Sequence, residues 1–135
     1  MARSAIYVVN TSTQDIVDGG TVNFGSTQRR FGCNLMQAGN AIQMNGSGYY
    51  KITSSLTLEP TAASTITATF YKDGVAIPGA SASATVAATD TAINLNIVAI
   101  TRENCCCCDD ISNITCVISG GAVTGLNIAT AVEKL

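Results

Sequence analysis

Polar and apolar residues alternate along most of this chain, and residues 48–59 carry the clearest example. Tyr50, Ile52, Ser54, Leu56 and Leu58 fall on one side, and Tyr49, Lys51, Thr53, Ser55, Thr57 and Glu59 on the other. A period of two places successive side chains on opposite faces of a strand, whereas a helix would scatter the same set around its axis. Residues 64–73 repeat the pattern, with Ile66, Ala68 and Phe70 opposed to Thr65, Thr67, Thr69 and Tyr71. Residues 92–102 form a further long alternating run, with Ile93, Leu95, Ile97 and Ala99 opposed to Asn94, Asn96, Val98, Ile100 and Arg102.

Shorter strands are expected at residues 4–9, 21–24, 40–45, 80–88, 113–119 and 126–135, with a short edge piece at 75–79. Residues 25–32 read as a loop whose adjacent Arg29 and Arg30 suit a carboxylate or sulfate, or simply solvent. Turn signals punctuate the series: Asp18-Gly19-Gly20, Gly46-Ser47-Gly48, Asp73-Gly74, Asp90-Thr91 and Gly120-Gly121. Pro60 ends the central strand because proline has no N–H for a ladder. Eight to ten short strands without a helical period predict an all-β fold, a two-sheet jelly-roll sandwich of about ten antiparallel strands. The strand at the C-terminus is expected inside a sheet, since terminal residues are otherwise loose.

Composition narrows this picture. The 135 residues suit one domain spanning 1–135. Only 12% are charged, against roughly 25% in ordinary soluble proteins. The polar surface is therefore Thr, Ser, Asn and Gly, which also fits a flank buried against other copies. A net charge of −2 makes nucleic acid a poor partner, and no apolar run approaches the roughly 20 residues of a membrane-spanning helix. The first ten residues lack the h-region of an export signal, so the expected route is synthesis in the cytoplasm and release by lysis or within a particle.

The chain has no histidine, which removes Ser-His-Asp and Cys-His nucleophile pairs and a histidine base. No catalytic residue and no cofactor are expected. Asp15/Asp18 and Asp109/Asp110 are the close acidic pairs, without the ligand spacing of a calcium loop. Asn113-Ile114-Thr115 matches a glycosylation sequon, which matters only for an exported chain.

The strand order, Gly48-Tyr49-Tyr50 opening a long strand, the Ile42/Met44 strand before it, and a strand running to the C-terminus resemble the tumour-necrosis-factor-like jelly roll, shared by complement globular heads. Compact versions occur in bacteriophage and bacterial surface structural proteins. The resemblance spans residues 6–135. It implies a homotrimer in which the central strand, the 92–102 strand and the C-terminal strand line the threefold axis. The implied interface is Thr53, Ser55, Thr57, Asn94, Asn96, Val98, Ile100, Asn127, Ala129 and Ala131, with Lys51 its awkward charged member. These side chains are small or uncharged, and Val98 and Ile100 would otherwise form an exposed apolar patch. The Thr65/Thr67/Thr69 face should meet solvent.

With neither collagen-like stalk nor secretion signal read in the chain, a receptor-cytokine role is not expected. The resemblance points instead to a non-enzymatic bacteriophage virion component, such as a capsid decoration, head-fibre or tail-associated trimer. Its partners would be itself and capsid or other virion proteins. Alternatives are a receptor- or glycan-binding knob at a fibre tip that meets a host-surface ligand, and a cysteine-based metal-binding or redox protein.

The last alternative rests on Cys105-Cys106-Cys107-Cys108. Neighbours in an extended chain point opposite ways, so Cys105 and Cys107 share one side and one ion cannot readily take all four. Cys105, Cys107 and Cys116 are the metal candidates, needing further ligands to close a tetrahedral site. Disulfides involving Cys33 or Cys116, and reduced thiols packed as small hydrophobes, are the other readings. Thiol counting under denaturing conditions, with and without reductant, separates them: six free thiols with no metal by elemental analysis leave only the packed-thiol reading.

Overall fold

The computed structural model describes residues 4–87, 92–103 and 111–135. Among these residues the chain forms eleven strands and no helix. The long central strand of the sequence reading is β6 (Gly48–Pro60), with every second residue from Tyr50 to Leu58 buried. It lies between β11 (Val123–Lys134) and β9 (Ile93–Glu103), antiparallel to both. On the far side of β11 come β1 (Ala5–Asn10) and then β3 (Ser26–Phe31), giving the order β3-β1-β11-β6-β9, with β2 (Gln14–Ile16) also paired to β11.

The second sheet has the order β4-β5-β10-β7-β8, formed by β4 (Leu35–Ala38), β5 (Ala41–Asn45), β10 (Ile111–Ser119), β7 (Ser64–Lys72) and β8 (Val75–Val86). The Asp73-Gly74 signal is the hairpin between β7 and β8, with φ of +52° and +82°, the left-handed pair of a type I′ turn. The C-terminal strand is interior, with β1 and β6 on its two edges, as expected of a terminal segment that is not loose.

The core lies between the sheets and follows directly from strand period. Ile6, Val132, Ile52 and Ala99 form one row across the first sheet, and Leu56, Ile128 and Leu95 another. Ile66, Ala68, Phe70, Ile114, Cys116 and Ile118 answer from the second sheet. Phe24 stacks on Phe70 with ring centres 6.2 Å apart. The Tyr50 ring is wholly buried while its hydroxyl donates to the Gly46 carbonyl at 2.8 Å, so a polar tip is satisfied at the sandwich end. Within the apolar rows, Ser54 and Thr130 face each other across the β6–β11 ladder and share a hydrogen bond of 3.0 Å.

Four expectations need correction. Residues 25–32 are not a loop, because β3 pairs with β1. As an edge strand exposed along its whole length, β3 has no buried face to impose alternation. Residues 21–24 are not a regular strand. Thr21 makes an isolated bridge to Val117, while Val22 and Phe24 fill the core as part of a strap whose Val22 N–H donates to the Cys116 carbonyl. The pieces at 75–79 and 80–88 join as β8, where Thr69 opposes Ser81 but Tyr71 opposes Ala76, so the intervening residues bulge out of register and bury Ile77 and Ala80. Finally, β2 and β4 are strands too short to announce themselves by period.

The Ser54–Thr130 pair predicts an asymmetric mutational response. Thr130→Val should leave the buried Ser54 hydroxyl without its partner and lower stability by about 1–3 kcal/mol. The Ser54→Ala/Thr130→Val double variant should recover a large share of that loss, measured by urea unfolding.

Candidate functional site: the outer face of the first sheet

Because side chains opposite one another in a ladder share a face, the register of the first sheet fixes what its outer surface presents. One row runs Arg29, Tyr7, Ala131, Thr53, Val98; the next runs Phe31, Ala5, Glu133, Lys51, Ile100. Beyond the first lie Val9, Ala129, Ser55 and Asn96, then Asn127, Thr57 and Asn94. All ten residues expected on the implied interface therefore stand together on one surface. Thr53, Asn94, Asn96, Val98, Ile100 and Asn127 are exposed in the single chain, and Ser55, Thr57, Ala129 and Ala131 are half-buried by their neighbours.

The surface is apolar at both sides and low in the middle. Val98 is 61% and Ile100 58% exposed on β9, while Tyr7 on β1 and Phe31 on β3 are 41% and 60% exposed. Between them the small side chains leave a depression of about 360 Å³ bounded by Tyr7, Thr53, Ser55, Val98, Ala129 and Ala131. A second, of about 310 Å³, lies between Phe31, Tyr7, Lys51 and Glu133. Asn94 is held flat against the sheet, its amide donating to Ser55 Oγ at 3.2 Å and Thr57 Oγ1 at 3.1 Å. Lys51 stands directly opposite Glu133 in the β6–β11 ladder, so its charge has an opposite one beside it on the same face.

Tyr7, Phe31 and Glu133 belong to this surface but were not assigned to it from sequence. The alternation Ala5-Tyr7-Val9 carried the signal for Tyr7; its side could be chosen only once β1 was placed beside β11. Phe31 carried none, since β3 shows no period. On the outside of the second sheet, Thr65 is exposed and Thr67 and Thr69 are half-buried, and the Thr65 and Thr85 hydroxyls pair at 3.0 Å.

The cysteine candidates separate. Cys105 and Cys107 lie outside the described residues, as do Asp109 and Asp110. Cys116 sits in the core, where desolvation by burial pushes its thiol up to about 12. A metal ligand must be thiolate, and this environment favours the protonated thiol. Cys33 is exposed. Among the described residues no group of three metal-ligating side chains converges. The buried carboxylate of Glu103 has Lys72 Nζ 3.8 Å from Oε1, and Lys72 also donates to the Arg102 carbonyl at 2.7 Å, which ties the two sheets together at one end.

No family model and no curated protein sequence matches the chain. Solved structures do. Murine APRIL superposes with a TM-score of 0.74 at 15% identity, over 98% of this chain and 99% of that one. The fold is a tumour-necrosis-factor-like jelly roll. The globular domain of zebrafish complement 1qA has it too, at a TM-score of 0.66 and 9% identity over 98% and 96% of the two chains. Another with this jelly roll is the PRD1 vertex protein P5, at 0.59 and 14% identity over 100% and 99%. At such identities the likeness is one of fold, and the TNF-like frame is what it establishes here.

Alkylation at pH 8 should separate the two described thiols in the native protein: peptide mapping should find Cys33 modified and Cys116 protected until denaturant is added. Raised in the folded state, the Cys116 pKa also sets a sign. Above roughly pH 8.5 the unfolded thiol loses its proton first, so stability falls toward pH 12. A Cys116→Ala variant should lack that component.

Proposed function

We propose that this protein is a non-enzymatic structural component that assembles as a homotrimer through the outer face of β1, β11, β6 and β9, and that it serves in a bacteriophage particle. The observation that carries this reading is the surface itself. A lone chain would leave Tyr7, Phe31, Val98 and Ile100 in water on one sheet, around a floor of Ala, Ser and Thr.

Threefold assembly gives both sides of that face a use. A cyclic contact is heterologous, joining different patches of successive subunits. The aliphatic β9 side of one subunit suits the aromatic β1–β3 side of the next, and the small side chains let the sheets approach. A stable contact of this kind buries about 800 Å² per partner. The Lys51–Glu133 pair supplies charges of both signs within a surface otherwise poor in them, which favours one register over others.

The particle role draws support from the PRD1 vertex protein P5, 99% of whose solved chain corresponds to this one. The charge-poor surface fits a protein that spends its life against other proteins. Decoration of a capsid, a head fibre and a tail attachment are the positions this reading allows.

Multi-angle light scattering should give three times the 13.8 kDa subunit mass. Ile100→Asp or Ala131→Arg should each cost about 2–4 kcal/mol at a central contact and shift the mass toward monomer. Thr67→Asp, on the other sheet, should leave it unchanged. A single-subunit mass for the parent, or equal behaviour of both classes of variant, overturns the assignment.

A further inference from the structure

A separate hollow of about 710 Å³ opens where β1 and β3 run out into the loop that joins β1 to β2, and Tyr7, Asn10, Ser12, Ser26, Gln28 and Arg29 line it. Three features set it apart from ordinary surface.

The strand is remodelled at this point. Tyr7 opposes Arg29 and Val8 opposes Thr27, so Gln28 is one residue too many for its partner strand. Such a bulge turns side chains away from the regular pleat. The two arginines are separated by the same ladder. Arg30 opposes Ile6 and donates to the Leu35 carbonyl at 2.6 Å, while Arg29 shares the outer face with Tyr7. Arg29 donates to the Gln28 carbonyl at 2.9 Å, which steadies the guanidinium at the rim.

The walls are held by polar contacts rather than by a core. Asn10 donates to the Asn23 carbonyl at 3.0 Å and accepts from the Ser12 N–H at 3.0 Å. Gln14 grips Asn23 at both its carbonyl and its N–H, at 2.9 and 3.0 Å. Gly25, at φ +86°, brings the returning chain flat against β1. A Cβ there would overlap the Val9 carbonyl oxygen and lie 2.7 Å from Asn10 Cα. A rigid exposed loop reduces the ordering cost of binding.

The chemistry of the lining is one-sided. It holds a guanidinium, an aromatic ring, amides and hydroxyls, and no carboxylate. Arg forks bind carboxylates in a bidentate manner, and aromatic faces pack against the apolar face of a sugar ring while hydroxyl and amide groups satisfy its rim.

We propose that this hollow binds a carboxylate-bearing saccharide, with Arg29 on the carboxylate, Tyr7 beneath the ring, and Gln28, Ser12 and Ser26 on its hydroxyls. Tyr7 and Arg29 also stand on the outer face that the proposed trimer would cover, so the titration is run on both the parent and the Ile100→Asp variant with mass recorded: loss of binding by both is failure of the site, whereas binding by the variant alone is covering of the hollow by assembly.

Calorimetric or ligand-observed NMR titration of the full chain with N-acetylneuraminic acid and with galacturonic acid, alongside galactose and glucose, tests this. At least one acidic sugar should bind saturably. The neutral sugars and the Arg29→Gln variant should each bind at least about tenfold more weakly, as expected for loss of a charge-assisted bidentate pair. Arg102→Gln, at the β9 side of the sheet, should titrate like the parent. Tyr7→Phe keeps the ring and should retain binding, with mass and thermal unfolding recorded on the same samples to confirm fold. Equal binding of neutral and acidic sugars, parent-like binding by Arg29→Gln, or no saturable binding of either acidic sugar by parent and Ile100→Asp alike overturns the proposal.

Discussion

The antiparallel ladder between β6 and β11 is the constraint on which the rest of this molecule depends. It runs from Tyr50 opposite Lys134 to Pro60 opposite Val123, and each of its strands has a further strand on its other edge. With all four edges satisfied, its residues have no freedom to slip. A one-residue shift would send Ile52, Leu56 and Leu58 to the outside and bring Lys51 and Glu59 into the core. Ser54 and Thr130 reinforce that register from within, since their hydroxyls meet only in this alignment.

One face of this ladder makes the core, and by the same pleat the other makes the surface argued to be the interface. The two are coupled, because every residue that commits to burial between the sheets commits its neighbours to the outside. Small residues at 53, 55, 129 and 131 therefore shape the floor of the outer face, while the bulky groups at its sides come from β9 and from β1 and β3. Apolar rims around a small-residue floor are a form that another sheet can fill. The outer side of the second sheet carries threonine and serine along β7 and β8, and its exposed apolar groups, Met36, Val75 and Ile111, lie on three different strands.

Loops and edges obey a different rule from the ladder. Residues 19–25 cross the end of the sandwich, send Val22 and Phe24 into the core, and hand their backbone to Cys116 and Ile118. The same crossing brings Asn23 against Asn10 and Gln14 and so makes the polar hollow beside Tyr7. Core filling and surface shaping are thus carried out by one short strap.

The faces of β6, β7 and β9 and the all-β class were legible in the sequence, because period-two burial is a local property that residues declare themselves. That each of the ten residues of the outer face points away from the core was legible for the same reason, while the grouping of their three strands came from the resemblance to the TNF-like jelly roll. What local pattern could not declare was partnership. Whether β3 is strand or loop depends on β1 lying beside it, since its own residues are exposed on both sides. That Arg29 and Arg30 part company, that Gln28 is one residue too many, that Tyr7 and Phe31 join the outer face, and that Lys51 stands opposite Glu133 are all matters of register between distant segments. Likewise Cys116 reads as a possible ligand in sequence and becomes a protonated core thiol only when the opposite sheet closes over it. The chain alone determined which residues turn inward; tertiary structure decided which of the outward ones stand together, because a ladder's alignment is set by both of its strands.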